Sequence, residues 1–238
     1  PPDYSSAASD VYKRQSGELN YIENNAPASE AITQIPLSKL LSNLPFIAII
    51  VATFANNWSL LVFLSFLPKF VDNELGVDLS SGSFLVLIII PSIVSVIALN
   101  LGGYIADTLI KKGYKVIKVR KSANSIGFFG SAACLFTIPF LNDVYTIIGL
   151  ICMTNIFTGA AAGGFGVNHA DLGPKSTGTL VGIASTLGTA AGVLGNIISG
   201  IVLDLTQSWT LVFFIAAGLL VFGGFFYLLF ASDKKQFD

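Results

Sequence analysis

From Lys39 onward, six stretches contain no Asp, Glu, Lys, Arg or His: residues 40 to 68, 79 to 106, 122 to 142, 144 to 168, 176 to 203 and 205 to 232. Crossing a hydrocarbon core of about 30 Å takes roughly 20 helical residues at about 1.5 Å each, and every stretch is that long. Inside hydrocarbon there is no water to bond the backbone, so each segment must satisfy its own amides, as a helix does. Strands are the rival, but a spanning strand needs only about 10 residues and alternates apolar with polar positions. These runs are continuously apolar. The expected fold class is therefore all-α and integral to a membrane, a bundle over 36–232 with approximate spans 45–69, 80–106, 122–142, 144–168, 176–203 and 208–231. Composition agrees, with 11% charged residues against about 25% in soluble domains.

Lysine and arginine set the expected orientation. The stretch after the second run carries Lys111, Lys112, Lys115, Lys118, Arg120 and Lys121, whereas the stretch after the first holds Asp72, Glu74 and Asp78 against Lys69. The basic side is expected to be cytoplasmic. An even number of spans then places both termini there, with Lys39, Lys175, Lys234, Lys235 and a short tail over 233–238. A net charge of −1 and the absence of a nucleic-acid motif argue against a nucleic-acid partner, and topology already explains the basic run. Contact with anionic lipid is a smaller additional expectation.

Residues 1–35 are polar, without helical periodicity or the apolar core of a signal peptide. They are expected to be an exposed segment. Residues 1–15 resemble an adapter-derived stretch rather than coding sequence, which implies that further sequence lies upstream. Cys134 and Cys152 sit inside apolar runs and are expected to pack rather than pair. The glycosylation pattern Asn57-Trp58-Ser59 lies within the first run, out of an enzyme's reach. No paired carboxylates, metal-spaced His or Cys, or Ser/His/Asp set occurs at a common depth, so neither a catalytic centre, a metal nor a cofactor is expected.

Depth sorts the polar residues. Counting about 1.5 Å per residue from Pro45 puts Asn56 and Asn57 near the midplane, beside Trp58. An amide there must bond another helix or face a water-filled cavity. The fourth run brings Thr154, Asn155 and Thr158 to similar depth, and the fifth brings Ser185, Thr186 and Thr189. No charged residue reaches the midplane in any run. His169 lies at the basic end of the fourth run, where it and Asp171 are expected to form a turn ended by Pro174, with the imidazole meeting water. Asp107, at the end of the second run, is expected to pair with Arg120 or another cation. Gly178 and Gly182, then Gly188 and Gly192, stand four apart and suit close helix approach.

Several ordered stretches resemble one family. They are "IPLSKLLSNLPFIAIIVATFANNW", "FLSFLPKF", "GGYIAD" followed by "VRK", "GFGVNHADLGP", "GTAAGVLG" and "FYLLFASDKKQ", together spanning residues 35 to 236. They are similar to the anion and cation symporters of the major facilitator superfamily, such as sialin, vesicular glutamate and type I sodium/phosphate transporters. The resemblance implies a twelve-helix transporter whose seventh to twelfth helices are present here, so that an N-terminal six-helix half is missing. It implies a small anionic substrate, such as phosphate, glutamate or another carboxylate, coupled to protons or sodium, with alternating access about a central site. Asn56, Asn57, Trp58, Asn155 and Ser185 are the expected substrate contacts, and Asp107, Arg120, His169 and Asp171 the expected cytoplasmic gate. A non-transporting membrane scaffold or anion sensor is the alternative. The chain departs from its relatives at Leu61, where tyrosine is common, at Ser185, where asparagine is common, and at Lys175, where arginine is common. The two inverted three-helix units expected of such a half cannot be read from the sequence.

Overall fold

The computed structural model describes residues 35–76 and 82–237, so the upstream polar segment lies outside it, apart from its last residue. Among the described residues there are six helices long and apolar enough to cross a membrane. They are α1 (Leu44–Leu75), α2 (Gly82–Lys111), α3 (Val116–Thr137), α4 (Val144–Ala161), α5 (Thr177–Thr206) and α6 (Trp209–Phe230). A lead-in helix, Leu37–Leu41, precedes them, and a short helix, Asn168–Leu172, follows α4. No strand is present among the described residues. Charge-free runs and helices do not share ends. α1 continues past Lys69 to Leu75, and α3 begins at Val116 inside the basic stretch, leaving only 112–115 as a loop. The reason is physical: charges mark where hydrocarbon ends, while backbone hydrogen bonding continues into the interface.

Local chemistry sets several ends. Asn43 caps α1 by accepting from the Phe46 amide at 3.0 Å, and Gly76 closes it in the left-handed region at φ 62°. Asp143 caps α4, its Oδ2 accepting from the Thr146 amide at 2.8 Å and the Thr146 hydroxyl at 2.6 Å. These bonds hold the Asp143 carboxyl below the usual carboxylate range. The α3 terminus has no side-chain cap from Lys115. Asp233 supplies one from far along the chain, accepting from the Ile117 amide at 3.2 Å.

Short connections make successive spans antiparallel. α1 packs on α5 and α6, α4 packs on α2 and α3, and α3 packs on α6. Exchanging α1, α2 and α3 with α4, α5 and α6 leaves this pattern unchanged, although the exchanged helices run in opposite directions. The bundle is thus an inverted repeat of two three-helix units. Its main core lies where α1, α3 and α6 meet, around Phe46, Ile49, Phe128, Leu135 and Tyr227. Phe70, Phe213 and Trp209 stack edge to face at the acidic end. α2 and α5 stand at the two ends of the packing path, with Val96, Ile97, Val193 and Ile197 more than half exposed.

Candidate functional site

Polar residues group at two levels: at mid-depth, in the α1–α5 seam and separately in the α2–α4 seam, and at the basic end. At mid-depth, Asn57 lies against α5 at Gly188, where an added Cβ would stand 2.7 Å from Asn57 Nδ2 and from Thr53 Cγ2. The same seam continues with Leu61 against Gly192 and Trp58 against Gly195. The glycines at 188 and 192 thus let α1 and α5 approach closely, while Gly178 and Gly182 have nothing within 4 Å of an added Cβ. Asn56 Nδ2 donates only weakly to Asn57 Oδ1, at 3.4 Å. Both amides are half-buried.

Trp58 is placed differently from the two amides. Its side chain is buried in the α1–α5 seam, and its indole nitrogen has no hydrogen-bond partner. It packs rather than facing open space. Leu61 is likewise a packing residue. Asn155 Nδ2 donates to the Pro91 carbonyl at 3.0 Å, tying α4 to α2 beside the proline. Ser185 lies exposed on α5, with Thr186 and Thr189 on the same surface; its carbonyl accepts the Thr189 hydroxyl at 2.9 Å. Asn56, Asn57, Asn155 and Ser185 therefore sit on α1, α4 and α5, with amide or hydroxyl chemistry and no charge.

At the basic end, Arg120 of α3 is 6% exposed. Its Nε donates to Asp171 Oδ2 at 2.9 Å, its Nη2 lies 3.5 Å from Asp171 Oδ1, and its Nη1 donates to the Gly163 carbonyl at 3.0 Å. That carbonyl belongs to a wide π turn, Ala162–Gly166, between α4 and the short helix. Such turns leave carbonyls without ordinary helical partners. Glycine is needed there: an added Cβ at Gly164 would meet the Arg120 carbonyl at 2.7 Å, and one at Gly163 the Gly102 carbonyl at 2.8 Å.

Two gate expectations are corrected. Asp107 does not pair with Arg120; it is exposed on α2, and Asp171 holds the guanidinium instead. The fork geometry of arginine favours one carboxylate held face to face, and the short helix Asn168–Leu172 carries Asp171 to it. His169 does not meet water. It is 5% exposed because 168–172 is a helical turn tucked into the bundle rather than an open loop. Its Nδ1 lies 3.4 Å from the Gly166 carbonyl, and its Nε2 has no partner.

Three residues outside the sequence candidates for site or gate complete the region. Asn168 is fully buried, and its neighbours fix its amide: Oδ1 accepts from the Tyr227 hydroxyl at 2.8 Å, while Nδ2 donates to the Ser232 carbonyl at 3.0 Å and to Asp171 Oδ2 at 3.2 Å. The reverse orientation would point its oxygen at two acceptors. Tyr227 of α6 is fully buried. Asn124 is fully buried as well, and neither atom of its amide has a partner. The only sequence signal for Asn124 is its spacing: four residues after Arg120, it shares that residue's face of α3.

Comparison with known proteins follows the same lines. The profile of the Major Facilitator Superfamily matches residues 9–195. The ascorbate transporter of the chloroplast from Arabidopsis thaliana is 33% identical over 224 residues, covering 93% of this chain and 40% of the relative. Sodium-dependent phosphate transport protein 1 of the chloroplast, also from Arabidopsis thaliana, is 32% identical over 226 residues, covering 93% of this chain and 43% of the relative. Sialin from Homo sapiens is 31% identical over 222 residues, covering 92% and 44%. The chain spans less than half the length of each of these three.

Proposed function

The chain belongs to the Major Facilitator Superfamily, and from that premise we propose that it forms the C-terminal six-helix half of a secondary transporter for small organic or inorganic anions. It is an integral, multi-pass membrane protein. The observation that carries the reading is the inverted repeat, the arrangement on which alternating access about a midplane site is built. Relatives named for ascorbate and for phosphate support an anionic substrate.

In this reading, the basic end is cytoplasmic by the excess of lysine and arginine, and both ends of the chain lie on that side. Asn56, Asn57, Asn155 and Ser185 offer hydrogen bonds to the substrate. Trp58 and the glycine seam set how closely α1 and α5 approach. No charged residue of these spans reaches mid-depth, so the counter-charge for the anion and the group that couples protons or sodium come from a second six-helix half. Arg120 and Asp171 close the cytoplasmic end, with His169 packed beside them and Asp107 exposed toward the cytoplasm. Opening breaks or reshapes their pairing, and a buried charge-assisted pair has two discrete states rather than a continuum.

Reconstitution of the longer protein containing this chain into liposomes tests the proposal. Uptake of radiolabelled phosphate, ascorbate or glutamate driven by a proton or sodium gradient is the expected result. Saturable binding of an anion with no flux under any gradient would replace transport with sensing.

A further inference from the structure

The segment after α6 has no helix of its own, yet it is anchored to the bundle through Ser232, Asp233, Gln236 and Phe237. Asp233 Oδ2 accepts from the Ile117 amide at 3.2 Å, in the first turn of α3 and three residues before Arg120. The Ser232 carbonyl accepts from the Asn168 amide, whose same nitrogen bonds Asp171. The backbone amides of Gln236 and Phe237 both donate to the Leu172 carbonyl, at 2.7 and 3.3 Å, one residue beyond Asp171. The Phe237 carbonyl accepts from Ser176 Oγ at 2.9 Å. Asn43, the cap of α1, donates to Gln236 Oε1 at 3.1 Å. The Phe237 ring is 4% exposed and meets Phe46 edge to face at 5.9 Å between centroids.

We infer that Ser232–Phe237 is a strap that holds the two sides of the basic-end gate in register and must release for Arg120 and Asp171 to separate. Two features carry this. The groups it satisfies are helix-end groups: the Ile117 amide opens α3 and the Leu172 carbonyl closes the short helix, and neither has an intrahelical partner. The strap therefore supplies what each gate element lacks at the end beside its charged residue. A non-helical segment, held by end-group and side-chain contacts rather than by a helical ladder, is also among the first parts of a fold to open locally, while the spans remain packed. Its hold reaches the start of α1 through Asn43 and Phe46, so one release loosens the basic ends of α1 and α3 and the short helix together. The flux consequence rests on the gate reading above; the hold on α3 and the short helix does not.

Hydrogen exchange read by mass spectrometry, on the longer protein containing this chain in nanodiscs, tests the strap with Phe237→Ala and, separately, Ser176→Ala. Expected is exchange about tenfold faster over residues 117–121 and 169–176, with the α1–α5 seam around residues 188–195 unchanged. Wild-type exchange over 169–176 in both variants would overturn the strap. So would a uniform rise across all six spans, because Phe237 would then merely stabilise the bundle. In the longer transporter, Phe237→Ala should change turnover more than KM. Faster exchange in a protein whose wild type shows no uptake would keep the strap and remove the transport reading. Unchanged exchange with normal uptake would do the reverse.

Discussion

Arg120 and Asp171 are 51 residues apart in the chain, and their side chains meet at 2.9 Å between Nε and Oδ2. The pair joins α3 to the short helix after α4. A third contact, to the Gly163 carbonyl at 3.0 Å, ties the guanidinium to the π turn as well. The arginine thus reads both the charge and the backbone conformation of the segment that it closes on.

Removing one partner should be costly. With the arginine 8% and the aspartate 18% exposed at their side chains, Asp171→Asn leaves the guanidinium without its counter-charge. Loss of a buried partner costs about 3 kcal/mol. A fall in unfolding temperature in detergent measures it, and a fall should also appear for Arg120→Lys, which keeps the charge and loses the fork. Stability equal to wild type in both variants would show that the pair is solvated in the detergent-bound protein and contributes nothing to its fold.

Two buried asparagines should respond in opposite directions. Asn124→Leu replaces an amide that has no partner by an apolar group of similar size and should stabilise by about 1 kcal/mol. Asn168→Leu breaks three bonds at once and should destabilise by about 2 kcal/mol or more. Thermal unfolding of both variants in one detergent decides; destabilisation by Asn124→Leu would mean that its amide is satisfied by water or an ion.

The glycine seam makes a paired prediction. Gly192→Ala drives a methyl into Leu61 and should lower stability by about 1–3 kcal/mol, with Leu61→Ala in the same chain recovering part of the loss. Gly178→Ala meets nothing and should be neutral or stabilising by up to about 1 kcal/mol, the ordinary helical gain over glycine. Equal effects at the two positions would argue that α1 and α5 are not in this contact.

Asn57→Leu in the longer transporter should reduce uptake while expression holds. Because Asn57 also packs on Gly188, unfolding temperature is measured alongside. Unchanged uptake kinetics would remove Asn57 from the substrate site.

The cap at Asp143 predicts a pH dependence outside the spans. Its carboxyl is held low chiefly by the Thr146 hydroxyl, then by the Thr146 amide. A depressed folded-state value means that the cap's contribution is complete above the unfolded value of about 3.9 and is lost as pH falls through the lower folded value. Protection of the Thr146 amide, measured relative to Asp143→Asn, should therefore hold down to about pH 4 and fall below it. A decline already complete at about pH 5 would contradict the depressed value.

Legibility in the sequence differed by scale. Six spans and the absence of mid-depth charge were visible because charge in hydrocarbon is too costly to hide. Asn57 could be placed in depth by counting residues. Whether Trp58 faced space or packing could not, because one helical face looks like another until its neighbour is known. The same gap explains Asp107: nearness in sequence to Arg120 suggested a pair, but geometry gave the arginine to Asp171.

By itself the sequence determined the class of solvent, the number of crossings and their alternation, because each follows from one segment's own polarity and length. Tertiary structure alone decided the inverted repeat, the buried place of His169 and the docking of Phe237 against Phe46. Those depend on which faces meet across the bundle. Two inverted three-helix units need to share only a packing pattern, glycines where backbones approach and bulk where they part, and that condition can be met by residues with no detectable likeness along the chain.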